Sequence, residues 1–226
     1  MPPPRETRAG RSTRRLREAI LTLRLRPGAR LVERDLVGKL GASRTAVRTA
    51  LQSLEAEGLV VRGRRGVFSV ATLSPDEARQ IYEVRAALEP AMARQFVSRA
   101  TDAEVAALGE AVARAEAAAR DGNGPAYVDA YRAFYAVLLA GSGNAIARQI
   151  IEMLEARITW LRHLTTQRAP RARQLRTASL LRGIFTAVKQ RKPDLAGRRC
   201  AAFVARSEKF ALEVMEDKYH YDIGTT

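Results

Sequence analysis

The chain has 226 residues, of which 46% are hydrophobic and 28% charged, and its formal net charge at pH 7 is +15. That length and apolar content support either one large domain or two modest ones with buried cores. A single cysteine, Cys200, excludes a disulfide framework or a thiolate metal cluster within the chain and reads as a packing residue. There is no long uncharged apolar run, and the start MPPPRETRAG lacks the apolar core of a secretory signal, so a cytoplasmic protein without a membrane span is expected. The charge is unevenly placed: residues 1–72 hold 16 Lys+Arg against 6 Asp+Glu, and the remainder 23 against 18. Such an asymmetry points to a polyanion, most simply nucleic acid, as the partner of the N-terminal part.

Residues 1–10, with three prolines and mixed charge, predict a disordered basic arm. A DNA-binding domain is expected over 11–72. From Ser12 a helix should carry Leu16, Ile20 and Leu23 on one face and end at the Pro27-Gly28 turn. Arg30 to Val32 can then form a short strand. The next helix runs from Glu33 to Leu40, with Leu36 and Leu40 on one face, and Gly41 stops it. Ser43 is a suitable N-cap for a following helix that reaches Glu57, because its hydroxyl can take up an amide left unpaired by the first turn. Gly58, able to adopt the left-handed conformation, ends that helix.

Within this second helix Val47, Leu51 and Leu54 form the stripe to be buried, while Arg44, Thr45, Arg48 and Gln52 lie on a different face. Two short helices joined by a three-residue turn, with donors in the first turns of the second, suit insertion into a DNA major groove. Arginine can bond guanine O6 and N7 together, and threonine can meet a base or a phosphate. The alternative is that Arg44 and Arg48 are solvated charges on an amphipathic helix. Two β-branched runs, Val60 to Arg62 and Val67 to Val70, flank Gly63-Arg64-Arg65-Gly66 and predict a hairpin wing whose arginines add phosphate contacts.

The boundary falls at Ala71 to Pro75. Ser74 reads as an N-cap, Pro75 as the first helical residue, and Asp76 and Glu77 as acids favoured by the first-turn dipole. Over 73–217 no strand is expected. The pattern gives helices at about 75–99, 102–121, 125–140, 144–166, 171–191 and 194–217, which short connections turn into an antiparallel bundle. Asn144 reads as a cap, and residues 218–226 as a tail. The fold class is therefore mostly α, a three-helix winged helix-turn-helix with a small β wing, followed by an all-helical bundle.

The stretches LREAILTLRLRPGARLVERDL and SRTAVRTALQSLEAEGLV, with the basic wing after them, resemble the winged helix-turn-helix of GntR-family bacterial regulators. Carried over by position, the resemblance implies DNA contacts by Arg34, Ser43, Arg44, Thr45, Arg48, Arg65 and Gly66. Two departures stand out, Ala46 in place of a frequent hydroxyl or proline, and Thr49 in place of a usual glutamate that would hold Arg48. DEARQIYEVRAALEPAMARQF and AYRAFYAVLLAGSGNAIA are similar to the FCD effector domain of the FadR-like branch. That implies a bundle of six to seven helices around a cavity for a small metabolite, commonly an acid.

Many such domains hold a divalent metal through an Asp and three His. Those positions fall here at Tyr131, Tyr135, Leu181 and Phe203, so no metal and no cofactor are expected. Tyr131 and Tyr135 share a helix face, and either line an effector pocket with Leu181 and Phe203 or fill the vacated space. Arg85 either binds an effector carboxylate or pairs with Glu89 one turn on.

Together these readings predict a ligand-responsive regulator of transcription, a repressor in the usual family pattern, with double-stranded DNA and a carboxylate effector as partners. A homodimer is expected, since one recognition helix reads few base pairs and two related by a two-fold axis read an inverted repeat. The competing classes are an architectural DNA binder with an empty bundle and a helical enzyme fused to a DNA-binding module. No H-E-x-x-H, G-x-S-x-G or P-loop supports the latter.

Overall fold

A computed structural model describes residues 7–64, 66–158, 161, 165 and 169–223, with side chains as far as Glu216. The chain divides into two compact units, residues 1–73 with 155–160, and residues 74–154 with 161–226.

The first unit contains α1 (Arg8–Leu21), β1 (Arg30–Leu31), α2 (Glu33–Leu40), α3 (Arg44–Ala56), β2 (Val60–Arg62) and β3 (Phe68–Val70). The strands form one antiparallel sheet in the order β1-β3-β2, with Arg30 opposite Ser69 and Val61 opposite the same residue from the other side. Leu16, Ile20, Leu36, Val47, Leu51, Leu54 and Phe68 make one core between the three helices and this sheet. The bidentate pair of Arg17 with Glu57, at 2.8 and 2.6 Å, fastens α1 to the end of α3.

Several boundaries differ from expectation. α1 begins at Arg8, inside the predicted arm, because Thr7 caps it: its hydroxyl accepts the Gly10 amide at 3.0 Å. The buried Ser12 and Thr13 hydroxyls then donate to the carbonyls of Arg8 and Ala9, at 3.1 Å each. At its other end the helix stops at Leu21, and Leu23 leaves the predicted face with a left-handed φ of 57°. Leu21 and Leu25 pack against the core instead. Val32 is the N-cap position of α2 rather than the end of β1, and β3 starts at Phe68 rather than Val67.

The second unit contains α4 (Pro75–Arg99), α5 (Asp102–Asp121), α6 (Gly124–Gly141), α7 (Ala145–Arg157) as far as Leu154, α8 (Arg171–Lys189) and α9 (Pro193–Ile223). α4 packs along α9 and against α6, α5 lies between α6 and α8, and α8 returns to α9. Capping side chains punctuate the bundle, at Ser74 and Asn144 as the sequence suggests. Ser74 with Glu77 and Thr101 with Glu104 form reciprocal capping boxes, and Asn123 and Asn144 accept the amides of Ala126 and Ala147. α7 ends at Arg157, short of 166; the predicted remainder of that helix falls largely on 159–160, 162–164 and 166, outside the described residues. α9 continues to Ile223, past the predicted end at 217.

Small residues set the closest helix approaches. A Cβ at Gly141 would lie 2.5 Å from Cε2 of the fully buried Phe96, and one at Gly197 would lie 3.1 Å from the Pro90 carbonyl oxygen. Gly141→Ala should therefore lower stability by about 1–3 kcal/mol, the usual range for overpacking. Gly38→Ala, on α2 with open space around it, should raise stability by about 0.5–1 kcal/mol through the gain in helix propensity. Denaturant midpoints of the two variants check both signs.

Candidate functional site

On α3 the side chains of Ala46, Val47, Ala50, Leu51 and Leu54 are buried, and those of Arg44, Thr45, Arg48, Thr49 and Gln52 are exposed. The 3.6-residue period therefore separates a packed stripe from a cationic, hydrogen-bonding face. Ser43 holds the helix start, its Oγ accepting the Ala46 amide at 3.2 Å. Ala46 is part of the packed stripe, so the small side chain at this departure from the family pattern serves the interior. Arg34 stands in the first turn of α2, its side chain 87% exposed. Arg48 has an acidic neighbour despite Thr49, since Glu33 Oε1 from α2 lies 3.8 Å from its Nε. Sequence spacing around Thr49 could not reveal that, because the acid comes from another helix.

The wing turn is closed by Gly63 N donating to the Val67 carbonyl at 2.9 Å and Gly66 N to the Gly63 carbonyl at 2.8 Å. Gly66 has a φ of 73°, a conformation that a side chain would strain. Arg62 lies over the Phe68 ring at 5.5 Å, and Arg64 is exposed. Arg65 lies outside the described residues. The residues expected to meet DNA thus occupy the starts of α2 and α3 and the wing, all within the first unit.

In the second unit the helices leave a cavity of about 70 Å³. Its buried floor comprises Tyr82, Arg85, Tyr127, Tyr131, Gln174 and Phe203, and its half-buried rim includes Arg173, Thr177, Ser207 and Phe210. Of the five residues expected to face an effector, Arg85, Tyr131 and Phe203 line this cavity. Tyr135 and Leu181 are buried but are not among its lining residues.

Tyr135 is engaged elsewhere. Arg85 Nε donates to Glu89 Oε1 at 2.5 Å, Tyr135 Oη donates to Glu89 Oε2 at 2.6 Å, and Arg85 Nη2 donates to Tyr135 Oη at 3.4 Å. Arg85 and Glu89 are completely buried. Burial, reinforced by the neighbouring Glu89 carboxylate, pushes the Tyr135 phenol well above its ordinary pKa, so it remains a neutral donor. The same two causes raise the Cys200 thiol, which is buried and correspondingly unreactive. Arg85 also lies over the Tyr82 ring at 4.8 Å.

Three of the four positions aligned with the family's metal ligands do come together. The Tyr131 and Tyr135 rings are 5.1 Å apart, and Phe203 is 6.0 and 6.2 Å from them. Their chemistry does not fit a metal ion: a phenyl and a leucine side chain offer no donor, and the Tyr135 oxygen is bonded to Glu89 and kept protonated. Among the described residues no group of three or more His, Cys, Asp or Glu side chains is assembled. His163 lies outside the described residues, as does the side chain of His220.

Sequence reasoning missed most of the cavity wall. Arg173 and Thr177 are one turn apart on α8, and Phe203, Ser207 and Phe210 follow a helical i, i+4, i+7 spacing on α9. That periodicity was available, but nothing in it distinguishes a cavity wall from ordinary core.

An exposed recognition-type helix with a basic wing defines a DNA-binding protein, and the other unit of the chain is a helical bundle with a small cavity. Comparison with known proteins agrees. The family model described as "FCD domain" matches residues 80–206, and that described as "Bacterial regulatory proteins, gntR family" matches residues 10–70. The chain belongs to the GntR family of bacterial regulators, in the branch that carries an FCD domain; it is a transcription regulator and not an enzyme.

Similar proteins include the Nta operon transcriptional regulator of Aminobacter aminovorans, 29% identical over 84% of this chain and 87% of that one. The HTH-type transcriptional regulator YdhC of Bacillus subtilis is 25% identical over 89% and 90%. Among solved structures E. coli McbR/YncC superposes with a TM-score of 0.80 at 21% identity, over 92% of this chain and 98% of that one, a likeness of fold. Among the described residues no helix is long and apolar enough to cross a membrane.

The buried pair makes a specific stability prediction. Glu89→Ala or Arg85→Ala alone should cost about 3–5 kcal/mol, since each strands an uncompensated buried charge. Replacing both by Leu should cost much less than the sum, and chemical denaturation of the three variants measures the difference.

Proposed function

We propose that the protein is a homodimeric repressor that reads an inverted-repeat operator and releases it when a small carboxylate enters the bundle cavity. The observation that carries this reading is the cavity itself, a small open-mouthed space with aromatic walls and arginines at floor and rim, in a domain of the effector-binding class. In the DNA complex Arg44, Thr45 and Arg48 would face base edges, while Arg34, Ser43, Arg64, Arg65 and Gly66 would meet phosphates. The pair with Glu33 would fix the Arg48 rotamer before DNA arrives.

The dimer reading draws on α7. Its Ala147, Ile151 and Leu154 are buried, yet Ile146, Ile150 and Met153 form a second apolar stripe at the same spacing and are 68%, 36% and 45% exposed. A helix apolar on two faces is expected to be covered on both. A second copy crossing antiparallel at Ile150 would match stripe to stripe. It would also set Arg148, now paired with Glu152 at 2.6 Å, beside the Glu152 of the partner subunit, so the charges are self-complementary about a two-fold axis.

Two experiments test the proposal. With an operator selected from a random duplex pool, Arg44→Ala or Arg48→Ala should cost about 1–3 kcal/mol on that operator and far less on random duplex. Arg64→Ala should weaken both DNAs and reduce the salt slope by about one unit; equal losses for all three variants would make every contact a phosphate contact. Sedimentation should give a dimer at micromolar concentration and a monomer for Ile150→Arg with its helix content intact. A wild-type monomer that still binds the full operator specifically would end the dimer reading.

A further inference from the structure

We infer that the anion in the bundle cavity is held by Arg173 of α8, not by Arg85, and that the occupant is a small monocarboxylate with its apolar body inward and its carboxylate at the rim. This rests on reading the cavity as the effector site.

The first ground is charge. Arg85 lies at the cavity floor, but Glu89 Oε1 already sits 2.5 Å from its Nε, and Tyr135 donates to the other Glu89 oxygen. An incoming carboxylate there would meet a pair with no net charge and would place a second anion beside Glu89 in a poorly screened interior. Arg173 is in the opposite situation. Its Nη2 donates weakly to the Arg206 carbonyl at 3.4 Å, and its guanidinium lies 3.3 Å from the Phe210 ring centroid. No carboxylate lies within ion-pairing distance of it among the described residues. Burial, chiefly, and the like charge of Arg176 lower its pKa while Glu213 opposes them, so a nearby anion would relieve an unfavourable setting. Stacking on Phe210 also holds the guanidinium plane in place, which leaves less rotamer freedom to lose when a planar carboxylate is bound at two points. Arg173 belongs to the first turn of a 19-residue helix, where the macrodipole favours an anion as well.

Size and wall chemistry supply the second ground. The space of about 70 Å³ is below the ~300–1,000 Å³ of pockets that hold drug-sized ligands, and it opens at a half-buried rim. A compact body suits it, and Tyr131 and Phe203, whose rings are 6.0 Å apart, give that body apolar contact. The two lining arginines differ in availability. With Arg85 neutralised at the floor, a second carboxylate carried inward would find no free cation, which selects against dicarboxylates.

The test titrates full-length protein calorimetrically with acetate, isobutyrate and benzoate, and with the corresponding neutral amides. The expected result is that at least one acid binds at millimolar concentration or tighter, and at least tenfold more tightly than its amide. Arg173→Gln should remove that acid-over-amide preference without lowering the melting temperature, and Arg176→Gln, a nearby exposed cation, should retain it. If the preference persists in Arg173→Gln but binding is abolished by Thr177→Trp, which fills the rim, Arg173 is not the anchor although the cavity remains the effector site. If none of the three acids binds, or Thr177→Trp leaves binding unchanged, both the anchor and the cavity reading are overturned.

Discussion

The second unit depends on a fully buried salt bridge. Moving a guanidinium and a carboxylate into a protein interior costs several kcal/mol for each ion, and only close geometry with additional hydrogen bonds offsets it. Arg85 and Glu89 meet that condition because they are one helical turn apart on α4 and because Tyr135, from α6, donates to the second Glu89 oxygen. The network therefore ties two helices together by hydrogen bonds whose geometry tolerates little displacement. Pro90 follows immediately in α4 and removes a backbone donor there, and its carbonyl is approached by Gly197 of α9. A polar knot, a missing backbone donor and a close helix crossing thus fall within about one turn of α4. They fix the positions from which Tyr82 and Arg85 face the cavity.

Local signals made most of the architecture legible. Ser43, Ser74 and Asn144 announce helix starts by side-chain chemistry confined to three or four residues, and all three cap in the structure. The packed stripe Val47, Leu51, Leu54 and the exposed face of Arg44, Thr45 and Arg48 follow from period alone. Errors arose where a non-local or weak local term decided. Thr7 outweighs the proline-rich start in placing the beginning of α1, and Leu21 and Leu25 replace Leu23 in the core once the chain turns left-handed. Glu33 reaches Arg48 only through the packing of α2 on α3, and no spacing rule in one helix could supply it.

The cavity shows the same limit more sharply. Two states of Arg85 were open from the sequence, an i, i+4 pair with Glu89 or a free carboxylate binder. The choice between them is energetic rather than sequential. A fully buried arginine with an acid one turn away has a partner of fixed geometry at no cost in loop closure, whereas an unpartnered buried guanidinium is heavily penalised. Tyr135 was drawn into that pair and away from the cavity for the same reason, since its buried phenol needs a hydrogen-bond partner and Glu89 offers the strongest acceptor nearby.

A small effector faces an energetic constraint of its own. Ligand binding shifts an equilibrium only by the difference in affinity between the two states. Turning a population from 1:99 to 99:1 takes about 5.5 kcal/mol of such difference. The best very small ligands reach about 1.5 kcal/mol per non-hydrogen atom, so an acid of roughly six atoms is bounded near 9 kcal/mol and would have to direct most of it to one state. In a two-fold dimer that switches as a unit the same shift is divided between two sites, at roughly 3 kcal/mol each. That is about the size of one charge-assisted hydrogen-bond pair. Under the proposed reading, dimerisation then does more than double the DNA contacts. It brings the switching energy within reach of a carboxylate that makes a single arginine contact in a cavity this small.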